Sequence, residues 1–151
     1  DMLRRWPVER YAELAGKFIS EGYSIVLVGG KDDGWVLPHF QNLNVVNLIG
    51  KTSLMELLQI FNHSQLVVSH DTGPLHMSTL TQAPILALFG PTYASAVVPL
   101  EQFQLKAMDA IGKVACAPCY DGKNYAICYD PICMKSHPVD AVHACAIKLL
   151  A

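Results

Sequence analysis

The chain has 151 residues and a formal net charge of -2 at pH 7, a length typical of one domain. Hydrophobic residues make up 52% of the chain and charged residues 16%, which excludes a disordered protein because such chains lack the apolar side chains that build a core. The sequence has neither the basic stripe that binds nucleic acid nor an apolar run near the ~20 residues of a membrane span.

The first fifty residues alternate between helical and extended patterns. Apolar side chains at helical spacing predict a helix over residues 8–21. Runs of β-branched residues at 24–28 and 45–48 predict two strands that are covered on both faces. The segment 31–41 between them is interpreted as a short helix or a loop, because a glycine and a proline interrupt its pattern.

The same alternation continues along the rest of the chain. Further helices are predicted at residues 53–62, 74–80 and 139–150, and further strands at 66–69, 85–89 and 103–108. Thr52 or Ser53 is expected to cap the first of these helices. Pro74 is expected at the first position of the second helix, where its missing N–H costs nothing.

Short strands that alternate with helices predict an α/β fold, a Rossmann-like open parallel sheet with helices on both faces and right-handed crossovers. The segment 93–138 departs from this rhythm, since it has one predicted strand followed by a cysteine-rich stretch without periodicity. No linker, repeat or low-complexity tract interrupts the sequence. We therefore expect residues 1–151 to form a single domain.

The most informative segment is Asp71-Thr72-Gly73, which joins a predicted strand to a predicted helix that carries His76 in its first turn. In an open parallel sheet, ligands bind beyond the carboxyl ends of the strands. Thr72 offers a hydroxyl group, Gly73 allows close approach of backbone to an anion, and a diphosphate would fit. Asp71 repels phosphate, so it is assigned to sugar hydroxyls or to orienting the loop. The alternative is a capping turn with a half-buried histidine.

Three other positions carry weaker signals. An acidic residue after a strand and a glycine pair, Asp32 or Asp33, suits the hydroxyls of a ribose, although it also suits an ordinary solvated turn. Thr52 stands at a helix start, where it either contacts a base or phosphate or serves as a cap. Arg4 and Arg5 form either a clamp on phosphate oxygens or solvated charge at the entry to the first helix.

The spacing of the cysteines is compatible with a metal-binding site. Four residues have a spacing that resembles a four-thiolate zinc site, namely Cys116, Cys119, Cys128 and Cys133. The second pair is wider than a CxxC motif, and free cysteines commonly pack as small apolar groups. We therefore expect reduced thiols and no metal, with a structural zinc site at these four residues as the alternative.

Five motifs in order carry a family resemblance. They are Arg-Arg-Trp-Pro at 4–7, Gly-Gly at 29–30, Gly-Lys-Thr-Ser at 50–53, Asp-Thr-Gly-Pro-Leu-His at 71–76 and Phe-Gly-Pro-Thr at 89–92. Together they resemble the C-terminal half of family 9 glycosyltransferases, the ADP-heptose:lipopolysaccharide heptosyltransferases. The resemblance covers nearly the whole chain and implies one half of a GT-B fold, the half that binds the nucleotide-sugar donor.

The resemblance also implies roles for individual residues. Arg4 matches a position at the diphosphate, Thr72 and Gly73 match the phosphate-binding loop, and Asp71 and His76 lie near the sugar and diphosphate. Thr52 matches a position at the adenine, and Asp32 or Asp33 would bind the ribose.

The implied reaction is inverting transfer of heptose from ADP-heptose to a sugar hydroxyl of the lipopolysaccharide core. The base that deprotonates this hydroxyl belongs to an N-terminal acceptor domain outside this chain, so no catalytic residue is assigned here. The sequence has no DxD pair, and we expect metal-independent chemistry without a cofactor. The implied partners are ADP-heptose and, through the other domain, the lipopolysaccharide core. The resemblance leaves room for peripheral contact with the inner membrane.

No apolar stretch of a secretory signal follows the arginine pair, which makes a cytoplasmic location the expectation. Asp1 is not an initiator residue, which suggests a part of a longer polypeptide. Two other classes of protein are considered. A non-catalytic nucleotide- or zinc-binding module remains the main alternative. An aspartic protease also uses Asp-Thr-Gly, but it would require an all-β fold.

Overall fold

The computed structural model describes residues 2–102 and 104–151. Asp1 and the first residue of the strand predicted at 103–108 lie outside the described residues. The α-helices of the described residues are α1 (Val8–Ser20), α2 (Leu54–Asn62), α3 (Gly73–Ser78), α4 (Ile132–Lys135) and α5 (Val139–Leu150). The described residues also form three 3-10 helices, at Met2–Arg4, Lys31–Phe40 and Ala94–Ala96. None of the described helices is long and apolar enough to cross a membrane.

Five parallel strands form two sheets in the described part of the chain. The strands are β1 (Ile25–Leu27), β2 (Val45–Asn47), β3 (Val67–His70), β4 (Ile85–Leu88) and β5 (Leu105–Met108). β1 pairs with β2, and the second sheet has the order β3-β4-β5. Parallel strands joined through helices rule out the all-β fold of an aspartic protease.

β4 shows why the helices cover both faces. All four of its residues are buried, and successive side chains of a strand point to opposite faces. Leu86 and Leu88 pack in a core with α1 and α5, which includes Leu14, Phe18 and Val142. The alternate residues of β4 pack in a second core with α2 and α3, formed by Ile85, Ala87, Leu57, Phe61 and Leu75. A continuous apolar run therefore predicts a central strand, because both of its faces need apolar residues.

Most predicted elements are confirmed with shifts of one or two residues at their ends. The interrupted segment 31–41 is a 3-10 helix rather than a loop. Gly22 has a positive φ of 92° and follows the end of α1, as a glycine after a helix is expected to do. α3 ends at Ser78 rather than at residue 80, and Pro74 is its second residue. The sequence analysis did not predict α4, whose four residues are too few for a helical pattern to be recognised.

The open parallel sheet is divided between β1 and β3. The α/β class and the helices on both faces are confirmed, but the continuity of the sheet is not. Both strands line a cavity of about 730 Å³, together with residues of α1. A hydrophobic pattern predicts strands but not which strands are neighbours, so this gap has no local signal.

Candidate functional site

The connection between β3 and α3 lies at the carboxyl edge of its sheet. β3 ends at His70 and α3 begins at Gly73, so Asp71 and Thr72 form a two-residue loop. Asp71 is 5% exposed, whereas Gly73 is exposed. Loops in this position, at the end of a parallel strand, are where such folds bind ligands.

The buried Asp71 carboxylate holds two cationic or polar side chains around the loop. Oδ2 of Asp71 lies 3.4 Å from Nη1 of Arg4, and its Oδ1 lies 3.8 Å from Nε2 of His76. The His76 side chain is 54% exposed and the Arg4 side chain 30%. Asp71 thus orients Arg4 and His76 beside the loop, and its negative charge is balanced by the guanidinium rather than directed at a ligand.

Thr72 and Gly73 leave the loop open to a ligand. Thr72 Oγ1 donates to the carbonyl of His70 at 3.2 Å and lies 3.3 Å from Oγ of Ser69, and it makes no capping bond to α3. The capping-turn alternative is therefore wrong for the Thr72 hydroxyl. A Cβ built on Gly73 would meet no atom within 4 Å. An anion can therefore approach the backbone of Gly73 closely.

A half-buried pair, Tyr11 and His70, supports the loop. The Tyr11 hydroxyl lies 2.9 Å from Nδ1 of His70, the last residue of β3. Burial, together with the nearby Arg5 and Arg4 guanidinium groups, lowers the pKa of His70 to about 4. Burial also raises the pKa of the Tyr11 hydroxyl. His70 is therefore neutral at pH 7, and Tyr11 stays protonated as a hydrogen-bond donor.

The two acidic residues after β1, Asp32 and Asp33, differ in their surroundings. The backbone N–H of Gly30 donates to Oδ2 of Asp33 at 2.8 Å, so Asp33 stabilises the start of the 3-10 helix, as the solvated-turn interpretation predicts. Asp32 is exposed beside it. Asp32 follows β1, so it belongs to the β1-β2 sheet, whereas Asp71 belongs to the other sheet.

The capping residue of α2 is Ser53, not Thr52. Ser53 and Glu56 form a reciprocal capping box, in which the Ser53 N–H donates to Glu56 at 2.7 Å and the Glu56 N–H to Ser53 Oγ at 3.3 Å. The hydrogen bonds that the Glu56 carboxylate accepts from the backbone N–H and the hydroxyl of Ser53 lower the pKa of Glu56. Thr52 instead lines a shallow cavity of about 450 Å³ with Lys51 and His63. Its side chain is therefore left to face that cavity rather than the helix.

An aromatic hairpin beside Arg4 was missed by the sequence analysis. Tyr120 and Tyr125 pair as an antiparallel bridge with ring centroids 4.7 Å apart. The Arg4 guanidinium carbon lies 5.9 Å from the centroid of Tyr125, within cation–π range. Asp121 closes the turn by accepting from the N–H groups of Lys123 and Asn124. The turn sequence Asp-Gly-Lys-Asn is the local signal of this hairpin, and it has no helical or strand periodicity.

Comparison with known proteins identifies the family. A model of glycosyltransferase family 9 (heptosyltransferase) matches residues 3–126, a range that contains the Arg4 and Asp71 cluster. The chain belongs to glycosyltransferase family 9. Its relatives include lipooligosaccharide heptosyltransferase 2 of Haemophilus influenzae, which is 36% identical over 104 residues, or 64% of this chain. The chain spans 30% of the length of that relative.

Two solved structures share the fold of this family 9 chain. ADP-heptose lps heptosyltransferase II of E. coli superposes with a TM-score of 0.76 at 22% identity, covering 97% of this chain and 42% of the other. The E. coli heptosyltransferase WaaC, solved with ADP-2-deoxy-2-fluoro heptose, gives a TM-score of 0.70 at 20% identity, covering 96% and 39%. The α/β fold is thus one half of a GT-B glycosyltransferase, as the family resemblance implied.

The cysteines of the family 9 chain lie on both sides of the aromatic hairpin. All of them are free thiols, and the described residues contain no group of three or more His, Cys, Asp or Glu side chains placed to hold a metal ion. Cys133 packs under Gly90, where an added Cβ would lie 2.8 Å from its sulfur. Burial raises the pKa of the Cys133 thiol, which opposes the thiolate form that zinc requires.

We predict that the thiols are reduced and that the four-thiolate zinc alternative is wrong. Elemental analysis of protein purified without chelators should find no stoichiometric zinc, because burial favours the protonated Cys133 thiol. Zinc near one equivalent per chain, with the segment 115–137 losing resistance to proteolysis on chelation, would contradict this prediction.

Proposed function

We propose that residues 1–151 form one nucleotide-sugar-binding domain, which binds ADP-heptose for inverting heptosyl transfer to the lipopolysaccharide core. The observation that carries the proposal is the Arg4 guanidinium held by the buried Asp71 carboxylate at the open Thr72-Gly73 loop. This cluster lies inside the segment matched by the family. Its relatives include heptosyltransferases, and one solved relative contains ADP-2-deoxy-2-fluoro heptose.

The cluster suits the departure of a nucleoside diphosphate. In the proposed reaction, the bond between the anomeric carbon of heptose and the β-phosphate oxygen breaks while an acceptor hydroxyl oxygen bonds to the opposite face of that carbon. ADP leaves with the added negative charge, which Arg4 stabilises together with the Thr72 hydroxyl, once that hydroxyl has turned from the His70 carbonyl to the diphosphate. His76 contacts Asp71 and is exposed toward the same loop, so it lies near the sugar and diphosphate.

The ribose and the adenine of the donor are assigned to residues that follow the strands of the β1-β2 sheet. Asp32 is exposed after β1 and has carboxylate oxygens for a ribose diol, while Asp33 is engaged by Gly30. Thr52 lines the cavity after β2 and is proposed to contact the adenine. Together with Arg4, Asp71, Thr72, Gly73 and His76, these two residues form the proposed donor site.

The acceptor side of the reaction is proposed to lie outside the 151 residues. The proton of the acceptor hydroxyl passes to a base on the opposing domain, and the lipopolysaccharide core binds there. We expect the chain alone to bind donor without transferring heptose, because transfer needs both reactants and the base in one cleft. The sequence has no DxD pair, so the proposed mechanism is metal-independent. The proposed location is the cytoplasm, with peripheral contact at the inner face of the inner membrane.

The proposal predicts that Arg4→Ala and Thr72→Val each weaken ADP binding by about 1–3 kcal/mol, the range for losing a hydrogen bond to a charged group. Isothermal titration calorimetry with ADP measures the loss. Lys148→Ala removes the same charge from the exposed last turn of α5, and should bind ADP like the unchanged chain.

Two conservative variants separate binding from folding. Arg4→Ala also removes the guanidinium partner of buried Asp71, which destabilises the fold. Arg4→Lys keeps a cation there without the forked guanidinium, and Thr72→Ser keeps the hydroxyl. Thr72→Ser should restore most of the ADP affinity that Thr72→Val loses. Unchanged ADP affinity in folded Arg4→Ala and Thr72→Val proteins would refute the assignment of the diphosphate to this loop.

A further inference from the structure

The proposed donor site leaves one group of the nucleotide without a cation. Arg4 and Thr72 are proposed to bind the β-phosphate at the loop after β3, and Asp32 is proposed to bind the ribose in the segment after β1. The α-phosphate of a nucleoside diphosphate lies between these two groups. A donor that reaches both loops therefore places its α-phosphate between the carboxyl ends of β1 and β3.

The Arg5 side chain lies between these two strand ends. It lines the cavity of about 730 Å³ together with Gly29, which follows β1, and Thr72, which follows β3. Its guanidinium carbon lies 4.6 Å from the ring centroid of Trp35, in the 3-10 helix after β1. On the side of β3, burial and then the Arg5 charge are the largest causes that lower the pKa of His70. Arg5 is thus close to both strand ends.

The Arg5 guanidinium has hydrogen-bond donors that no side chain or carbonyl takes up. Within residues 2–102 and 104–151, the Arg5 side chain forms no ion pair and no hydrogen bond, whereas the Arg4 guanidinium lies 3.4 Å from the Asp71 carboxylate. A cation–π contact holds a charge in place without using its N–H groups. Arg5 therefore keeps the paired N–H donors that bind two phosphate oxygens at once.

Trp35 holds the Arg5 guanidinium at this edge. The Trp35 ring packs edge-on against His39, with ring centroids 6.5 Å apart and an interplanar angle of 83°. His39 in turn lies beside α1, because its Nδ1 is 3.8 Å from Oε1 of Glu9. A ring held in this way restricts the conformations of the long Arg5 side chain, which lowers the entropy cost of ordering it around an anion.

The charges near Arg5 also favour an anion. Arg4 and Arg5 bring two positive charges to the carboxyl edge, and the buried Asp71 pairs with Arg4. Asp33 accepts from the N–H of Gly30 instead of forming an ion pair with Arg5. A diphosphate has negative charge on each phosphate, so it complements both guanidinium groups better than a neutral ligand does.

We propose that Arg5 binds the α-phosphate of the donor and that Trp35 positions it, so that Arg4 and Arg5 bind the two phosphates separately. This inference rests on the proposed function, which assigns a nucleoside diphosphate to the site. The charge that develops when the sugar leaves is on the β-phosphate oxygen, whereas the α-phosphate carries the same charge before and after transfer. Arg5 therefore binds donor and product alike and anchors the nucleotide, while Arg4 acts on the leaving group.

AMP and ADP separate the two phosphates experimentally. Both nucleotides have the α-phosphate and only ADP has the β-phosphate, so Arg5→Ala should weaken the binding of both by the same factor, about tenfold or more. Thr72→Val, at the β-phosphate, should weaken ADP binding and leave AMP binding unchanged. NMR titrations measure these effects, because their initial slopes compare affinities even where a weak ligand does not saturate the chain. Lys148→Ala, exposed in the last turn of α5, is the control for the loss of a positive charge.

The positioning role of Trp35 is tested through Arg5. Trp35→Leu should weaken the binding of both nucleotides about threefold, and Trp35→Phe, which keeps an aromatic face, should weaken it less. In the Arg5→Ala background, Trp35→Leu should cause no further loss, since Trp35 acts only through the guanidinium. Arg5→Gln, which keeps a polar side chain without the charge, repeats the comparison if Arg5→Ala does not fold.

The possible results distinguish this inference from the proposed function. If the unchanged chain binds ADP, then equal affinity of the Arg5 variants for both nucleotides, or a loss confined to ADP, would overturn the Arg5 assignment and leave donor binding intact. A further loss from Trp35→Leu in the Arg5→Ala background would show that Trp35 contacts the nucleotide itself, which contradicts its positioning role. If the unchanged chain binds neither nucleotide, the proposed function is refuted, and the α-phosphate assignment with it.

Discussion

Trp6→Ala is expected to lower the free energy of unfolding by about 3–5 kcal/mol, the range for removing a buried aromatic side chain. Trp6 is 0% exposed and packs edge-on against Tyr11 with ring centroids 4.8 Å apart. Its Nε1 donates to the carbonyl of His137 at 3.0 Å, which connects the start of the chain to the loop before α5. The variant therefore loses core packing and a buried hydrogen bond together.

The matched control is the other tryptophan. Trp35 is 44% exposed, and the Arg5 guanidinium carbon lies 4.6 Å from its ring centroid, so Trp35→Ala should cost only about 0.5–1 kcal/mol. Urea denaturation of the two variants measures both changes. Equal losses from Trp6→Ala and Trp35→Ala would mean that Trp6 is not buried as described.

Stability is expected to fall by about 3 kcal/mol as the pH is lowered from 7 to 4, owing to His70 alone. Burial lowers the pKa of His70 from 6.5 to about 4 in the folded chain. Between these values the unfolded chain binds a proton that the folded chain does not, so stability is present above pH 6.5 and is lost as the pH falls toward 4. Burial also lowers the pKa of His137, which acts in the same direction.

A variant isolates the contribution of His70 from that of the carboxylates. His70→Asn keeps an oxygen that accepts from the Tyr11 hydroxyl but does not titrate, so its free energy of unfolding should depend less on pH than that of the unchanged chain. His63→Asn removes an exposed histidine and should retain the full dependence. Parallel pH profiles for the unchanged chain and His70→Asn, measured by urea denaturation, would show that His70 is not buried in its neutral form.

The sequence predicts the elements of this fold better than their arrangement. The apolar run that becomes β4 identifies a central strand because both of its faces are buried. Strand neighbours depend on contacts between distant residues, so the division between β1 and β3 has no local signal. The short α4 escaped prediction because its stability comes from Cys133 and Met134 packing under Gly90 rather than from a helical repeat.

In the candidate site, too, the sequence pattern predicts local elements but not contacts between residues far apart in the chain. Spacing and strand position predict that Asp71, Thr72, Gly73 and His76 lie on one loop at the carboxyl edge. The contact between Arg4 and Asp71 joins residues far apart in the chain, and it was expected from the family resemblance alone as a shared location near the diphosphate. Tyr125 was not predicted at all, because its place beside Arg4 depends on how the hairpin packs.

The most direct test of the donor-site proposal is the nucleotide selectivity of the chain. Titration calorimetry with ADP, AMP and UDP compares the diphosphate and the base separately. We predict that ADP binds weakly, with a Kd on the order of 1 mM or below, and more tightly than AMP, which lacks the β-phosphate, or UDP, which lacks the adenine. A preference for UDP, or no binding of ADP at millimolar concentrations, would contradict the account.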